Sequence, residues 1–331
     1  MAKLNPRVKS IAIFVAKVAV ATTLITWLVR SGVLKFGALA IFLERPVLLV
    51  ADLALFAFAL ITGTLRWQAL LAIAGAHVPF WRALQLQFTA QFFNVVVPGN
   101  VGGDVVKALY VARDEAPEKR TTILLIVFVE RLVGLGALVL VASMVAVLKG
   151  PLLWQNPQLR QLAMGVMLLG LCTLVGPALF VVAMRRAGDR LETYTTGTTF
   201  IAKLANRLVA AARLLSAGPR NLLLALGYSM AAHAATIVFF TVLTRALLSE
   251  QVPFSSIATV YPLGILTMIL PISPAGLGVG HVAFDRLFTM IGLHDGATVF
   301  NVYLIGILAP CLLGVFPYLA LRRKGALPPT E

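Results

Sequence analysis

Charge is scarce in this sequence and acid scarcer: charged residues make up 12% of its 331 positions, with 13 Asp or Glu against 28 Lys or Arg. With 60% hydrophobic residues and a mean hydropathy of +0.92, so little charge excludes a water-soluble domain of this size. What remains is a polytopic α-helical membrane protein. Cysteine is nearly missing, and Cys172 and Cys311 both fall inside apolar runs, which excludes a disulfide framework and a cysteine metal set. Histidine is rare too. His281 and Asp285 share a helix face at i, i+4, with Arg286 following, but no third ligand stands at suitable spacing, so no metal is expected. His233 reads as a hydrogen bonder within the bundle. Enzyme signatures are absent: there is no HExxH, GxSxG, Walker A or paired-aspartate nucleotide-sugar motif, and His294-Asp295-Gly296 does not continue into a lipid phosphotransferase pattern. The expectation is a protein that is not an enzyme, uses no cofactor and cannot hydrolyse ATP. The net charge of +15 would suit nucleic acid on a soluble face. Here the basic residues sit in short loops between apolar runs, so they read as an orientation signal and no nucleic-acid partner is expected.

Six apolar runs qualify as full spans, each exceeding the roughly 20 residues that cross hydrocarbon at 1.5 Å rise: Val8 to Val29, Val47 to Ala74, Thr121 to Leu148, Leu162 to Met184, Leu222 to Leu248 and Thr298 to Leu321. Lys3, Arg7 and Lys9 before the first run give it the look of a signal peptide. Its length and the lack of a small-residue cleavage site make it a retained helix. Two further stretches, about 80–113 and 254–291, are broken mid-way by Pro and Gly and read as helix, turn, helix hairpins that enter and leave the membrane on one side. Basic residues agree with that count. Segments placed inside collect Lys3, Arg7, Lys9, Arg113, Lys119, Arg120, the run of arginines and lysine from Arg185 to Arg220, and Arg322 to Lys324; those outside hold only Arg30, Lys35, Arg45, Lys149, Arg160 and Arg245. Both termini are thus expected on the cytoplasmic side of a cell (inner) membrane under the positive-inside rule. The connection from Arg185 to Arg220 suits either an interfacial helix on anionic lipid or a solvated hairpin. Residues 1–324 form one transmembrane domain and 325–331 a disordered tail.

The first hairpin carries most of the chemistry. In QFFNVVVPGNVGGDVVKALY, residues 91–110, Pro98, Gly99, Gly102, Gly103 and Asp104 interrupt what would otherwise be a membrane helix. Such a break persists only where protein or a wet cavity takes over the freed backbone groups. Gly102 and Gly103 leave amides uncovered at the start of the returning half-helix, a place for a phosphate, with Lys107 as its charge partner and Asp104 as cap or Lys107 partner. The bland alternative is that Asp104 only caps and Lys107 snorkels. Asn94 and Asn100 add uncharged donors and acceptors. Glu130 and Arg131, inside an uninterrupted apolar run, point about 100° apart and so reach different partners, Arg131 an acid such as Asp104 or a lipid phosphate; a purely structural pair is the alternative. Arg66 reads as interfacial anchor or headgroup contact, and Ser273 sits in the second hairpin's turn. The hairpins look related. From opening proline to break proline is 19 residues in one (Pro79, Pro98) and 18 in the other (Pro253, Pro271), with three spans between. Paired interrupted segments in inverted orientation point to a transport site near the midplane.

FNVVVPGNVGGDVVKALY (93–110), ERLVGL (130–135) and PISPAGLGVGHVAF (271–284) resemble, in that order and over nearly the whole chain, the transmembrane region of lysylphosphatidylglycerol synthases. That region is the flippase part of multiple peptide resistance factors, with stand-alone bacterial and archaeal relatives. The resemblance implies a flippase-like fold with two inverted re-entrant hairpins. It carries no aminoacyl transfer, because no synthase domain lies in these residues. The expected function is movement of an anionic phospholipid or prenyl-phosphate headgroup between leaflets through a cavity between the two hairpins, with Lys107, Arg131, Asp104, Glu130, Asn94, Asn100, Gly102, Gly103, Arg66 and Ser273 as binding residues. Expected partners are that lipid, with a lipid-modifying enzyme or a second copy as further candidates. The competing readings are a membrane-embedded lipid-linked transferase and a non-transporting scaffold for a lipid-modifying enzyme.

Overall fold

The prolines that punctuate the sequence mark where its helices begin. Pro46, Pro117, Pro157 and Pro219 each hold the first position of a long helix, where a missing N–H costs nothing and the fixed φ suits the first turn. The computed structural model describes residues 37–96, 102–148, 157–195, 216, 218–248, 251–268 and 278–323. In chain order these form α1 (Gly37–Glu44), α2 (Pro46–Ile73), α3 (Phe80–Val96), α4 (Gly102–Asp114), α5 (Pro117–Leu148), α6 (Pro157–Thr195), α7 (Pro219–Leu248), α8 (Phe254–Thr267), α9 (Val279–Met290), α10 (Gly296–Leu312) and α11 (Val315–Arg323). The expected span Val8 to Val29, Asn100, Ser273, residues 196–215 of the longest basic connection and the tail 325–331 lie outside the described residues.

Among the described residues five stretches are long and apolar enough to cross a membrane: Pro46–Ile73, Pro117–Leu148, Pro157–Phe180, Pro219–Leu248 and Gly296–Leu321. Each overlays one of the expected spans. Two details differ. Helix α6 continues past Met184 to Thr195, and the run expected as one helix from Thr298 to Leu321 is two. Pro310 takes an amide out of the helical ladder, and Leu313 and Gly314 close α10 with turn bonds to the Pro310 and Cys311 carbonyls (both 3.0 Å) before α11 begins. These helices leave many large apolar side chains exposed, among them Phe128, Leu168, Leu174 and Val238, while Asp104, Lys107 and Glu130 are buried. That is the inverse of a soluble surface, and the protein is a multi-pass membrane protein.

The two interrupted stretches fold as helix pairs. In the first, α3 and α4 run antiparallel: Arg82 pairs with Asp114 at the open end, Lys107 meets Gln87 midway (2.8 Å), and the Gly103 amide donates to Asn94 Oδ1 (2.9 Å) near the tip. The helices approach so closely that a Cβ on Gly103 would overlap the Ala90 carbonyl. In the second, α8 and α9 pack with Gly264 under the Phe284 ring and Gly280 against Met268.

These units repeat. Helix α2 packs on α7 in antiparallel register, Arg45 donating to the Ala246 carbonyl, Arg66 to Ser229 and Ile73 lying against Gly218. Exchanging α2, α3, α4, α5 for α7, α8, α9, α10 maps the packing onto itself: α3 lies on α10 as α8 lies on α5, and α2 touches α5 as α7 touches α10. Since α2 and α7 are antiparallel, the halves are inverted, and the open ends of the hairpins sit at opposite ends of the α2/α7 pair. Each hairpin has its own buried cluster. Trp67, Leu70, Leu86, Ala108 and Ile126 fill the first. Phe240 centres the second, its ring 5.2–5.3 Å from those of Tyr261, Phe284 and Tyr303.

Candidate functional site

Polar groups converge beneath the first hairpin, where α4 brings Lys107 into the seam between α2, α3 and α5. Lys107 has no exposed surface. Its ammonium donates to Gln87 Oε1 at 2.8 Å, lies 2.8 Å from Glu130 Oε2 and 3.0 Å from the better aligned Oε1, sits 3.2 Å from Asp104 one turn earlier, and stands 5.0 Å over the Trp67 ring. Three acceptors and a ring face match the three donors and the charge of an ammonium, which is how a lysine is held inside apolar surroundings.

Glu130, 4% exposed, is the hub. It receives Lys107 from one side and Arg66 Nη2 from the other (2.9 Å), while Arg66 Nη1 reaches Ser229 Oγ on α7 (3.3 Å). Arg66 is therefore drawn inward rather than left as an interfacial anchor, because a buried carboxylate with a single cation beside it is incompletely compensated. The Arg66 Nε is buried and has no acceptor among the described residues. Arg131, next along α5, points elsewhere and pairs with Asp104, so adjacent residues do reach different partners. Its side chain is 41% exposed, the most open of the five charged groups. Arg66, Lys107 and Arg131 against Asp104 and Glu130 leave the cluster one positive charge in excess.

Asn94 closes the half-helix start that was expected to offer open amides, since its Oδ1 takes the Gly103 N–H; Gly102 beside it is half-buried. Five of the expected residues, Arg66, Asp104, Lys107, Glu130 and Arg131, are thus linked into one assembly, and Asn94 binds Gly103, the residue before Asp104. On the second hairpin, His281 does not join Asp285: its Nε2 faces Asn301 Oδ1 at 3.4 Å and its ring stands edge-on to Phe300, while Asp285 is exposed. His233 faces the Gly134 carbonyl at 3.2 Å. Sequence reasoning missed Gln87, Trp67 and Ser229. None is charged, and only the antiparallel pairing of α3 with α4 and of α2 with α7 brings them in. It also passed over Asp52, an acid inside a span that the rule applied to Glu130 would have flagged.

Among curated proteins and solved structures no match to the chain was found. The family model described as the lysylphosphatidylglycerol synthase transmembrane region matches residues 14–316. That interval takes in both hairpins, the spans between them and every charged residue of the cluster, so the chain belongs to the lysylphosphatidylglycerol synthase transmembrane-region family, and its function concerns membrane lipid.

Proposed function

We propose that the protein is a lipid flippase-like transporter, moving an anionic phospholipid or prenyl-phosphate headgroup between leaflets along the seam beneath the first hairpin. The observation that supports this reading most is the cluster itself: five charged side chains gathered inside a membrane-spanning bundle, with one positive charge in excess and Arg131 at its open edge. Ionisable groups at such depth are costly and mark pathways. An anionic headgroup crossing bare hydrocarbon would cost several kcal/mol or more, which a basic, polar seam offsets. Arg131 meets the phosphate first. Arg66, whose Nε has no acceptor among the described residues, supplies the second donor. Lys107, wholly enclosed, holds Glu130 and Asp104 in place for these arginines rather than touching the headgroup in this arrangement.

In this reading the two hairpins dip into the membrane from opposite leaflets, both termini face the cytoplasm from the inner membrane, and the protein performs no chemistry on its lipid. The enclosure of Lys107 also suits a second reading, in which the cluster only braces a scaffold for a lipid-modifying enzyme. Reconstitution separates the two. Purified protein in vesicles carrying headgroup-labelled lipids in one leaflet equilibrates anionic species between leaflets; a scaffold leaves every lipid of a broad panel where it was placed.

A further inference from the structure

Another intramembrane acid stands well away from this cluster. Asp52 lies on α2, six residues after the helix opens, and is 4% exposed. Its surroundings belong to the buried apolar set that includes Phe42, Leu48, Leu55 and Ile305. Room for it is made by Gly306 on α10, where a Cβ would stand 2.5 Å from the Asp52 carboxylate and 3.1 Å from the Phe42 ring. Among the described residues no hydrogen bond or ion pair reaches the carboxyl. The contrast with Glu130 and Asp104, each held by two cations, is complete.

Among the described residues, the elements around Asp52 offer no counter-charge. On α10 the titratable groups are Tyr303 and Cys311, neither of which can carry a positive charge. The register of α2 with α7 puts Phe239 and Phe240 at its level, and the Phe56–Phe88 contact puts the Phe92 end of α3 nearby. Among the described residues, the cations toward that end of the bundle, Arg45 on α2 and Arg245 on α7, donate to the Ala246 and Val252 carbonyls. On α1 the one titratable residue is Glu44, another acid, and α5 has none beyond Arg131. An unpaired carboxylate in such a setting would cost many kcal/mol, so the group sheds its charge by keeping its proton. Beyond it the Tyr303 and Tyr261 hydroxyls are hydrogen-bonded at 2.8 Å, with Thr236 of α7 beside Tyr261. On α7, Thr236, His233 and Ser229 share a face that leads back to Arg66.

We propose that Asp52 is a proton-binding site: its carboxyl is protonated in the arrangement seen here and exchanges that proton with water during lipid movement, so that a proton gradient can drive or bias transport. The coupling to transport rests on the flippase reading; the proton site does not. The test begins with the full chain in phosphatidylcholine/phosphatidylglycerol vesicles treated with dicyclohexylcarbodiimide, which modifies protonated carboxyls in apolar surroundings, followed by peptide mass spectrometry. Asp52 should be modified, with a yield that falls several-fold from mildly acidic to alkaline pH, while Glu130 and Asp104 stay largely unmodified. An unmodified Asp52, or a yield that ignores pH and falls instead with added sodium, overturns the proposal. In the same vesicles an imposed proton gradient should change the rate of labelled phosphatidylglycerol exchange several-fold in the wild type and leave Asp52→Asn unresponsive; a gradient-insensitive wild type overturns the coupling. Wild type that moves no lipid would sink the transport reading instead, and the labelling result then decides the proton site alone.

Discussion

Lys107 and Arg131 are both cations near Asp104, yet the structure gives them different work. Lys107 has no exposure and spends its donors on Gln87, Glu130 and Asp104. Removing its charge leaves Glu130 with Arg66 as its one cation among the described residues, so Lys107→Met should cost about 3–5 kcal/mol of stability, and Glu130→Gln a comparable amount by taking the shared carboxylate from both Lys107 and Arg66. Thermal unfolding in detergent or nanodiscs reads both. The double variant Lys107→Met/Glu130→Gln should lose less than the sum, since the two side chains contact each other directly. Arg131 pairs with Asp104 from a side chain 41% exposed. Solvent and headgroups screen such a pair, and Arg131→Gln should cost no more than about 1 kcal/mol. A loss as large as that of Lys107→Met would mean that Arg131 is bracing the fold rather than waiting for a ligand.

The hairpins were readable because Pro98, Gly99, Gly102 and Gly103 cannot sit quietly inside one membrane helix, and Pro271 to Gly280 repeat the disturbance. What the pattern could not supply was which residues the fold-back brings together. Gln87 and Lys107 lie 20 residues apart and face each other only because α3 and α4 pair in antiparallel register. Arg66 looked like an anchor by its place beside Trp67; its inward turn depends on Glu130 arriving from α5. The run from Thr298 to Leu321, expected as one span, does fall within one candidate span, Gly296–Leu321, but it is built as two helices, because Gly314 fits beneath the Phe88 carbonyl and the chain turns there. Among the described glycines the closest approach is that of Gly103 to Ala90, with no room for a methyl group. Gly103→Ala should push α4 off α3, cost about 1–3 kcal/mol and weaken the Lys107–Gln87 bond with it. Tm and hydrogen exchange across α4 would show this, and unchanged protection in α4 would contradict it.

In the molecule as a whole, two inverted units share the α2/α7 seam, and everything proposed about lipid depends on how those units sit in a bilayer. Arg82 and Asp114, paired at the open end of the first hairpin, should report the same side of the membrane, and residues near Phe254 and Met290 the other. Single cysteines at these four positions, labelled with an impermeant maleimide in sealed vesicles, test that arrangement; Arg82 and Asp114 on opposite sides would make the first hairpin two crossings. The most direct trial of the account is leaflet exchange of headgroup-labelled phosphatidylglycerol and phosphatidylcholine by the wild type and Arg131→Gln in one vesicle preparation. The wild type should move the anionic lipid faster, and Arg131→Gln, folded to the same Tm within a few degrees, should lose about tenfold of that preference, equivalent to about 1.4 kcal/mol. If Arg131→Gln keeps the wild-type preference, or the wild type moves neither lipid, the charged seam beneath the first hairpin is not a route for headgroups.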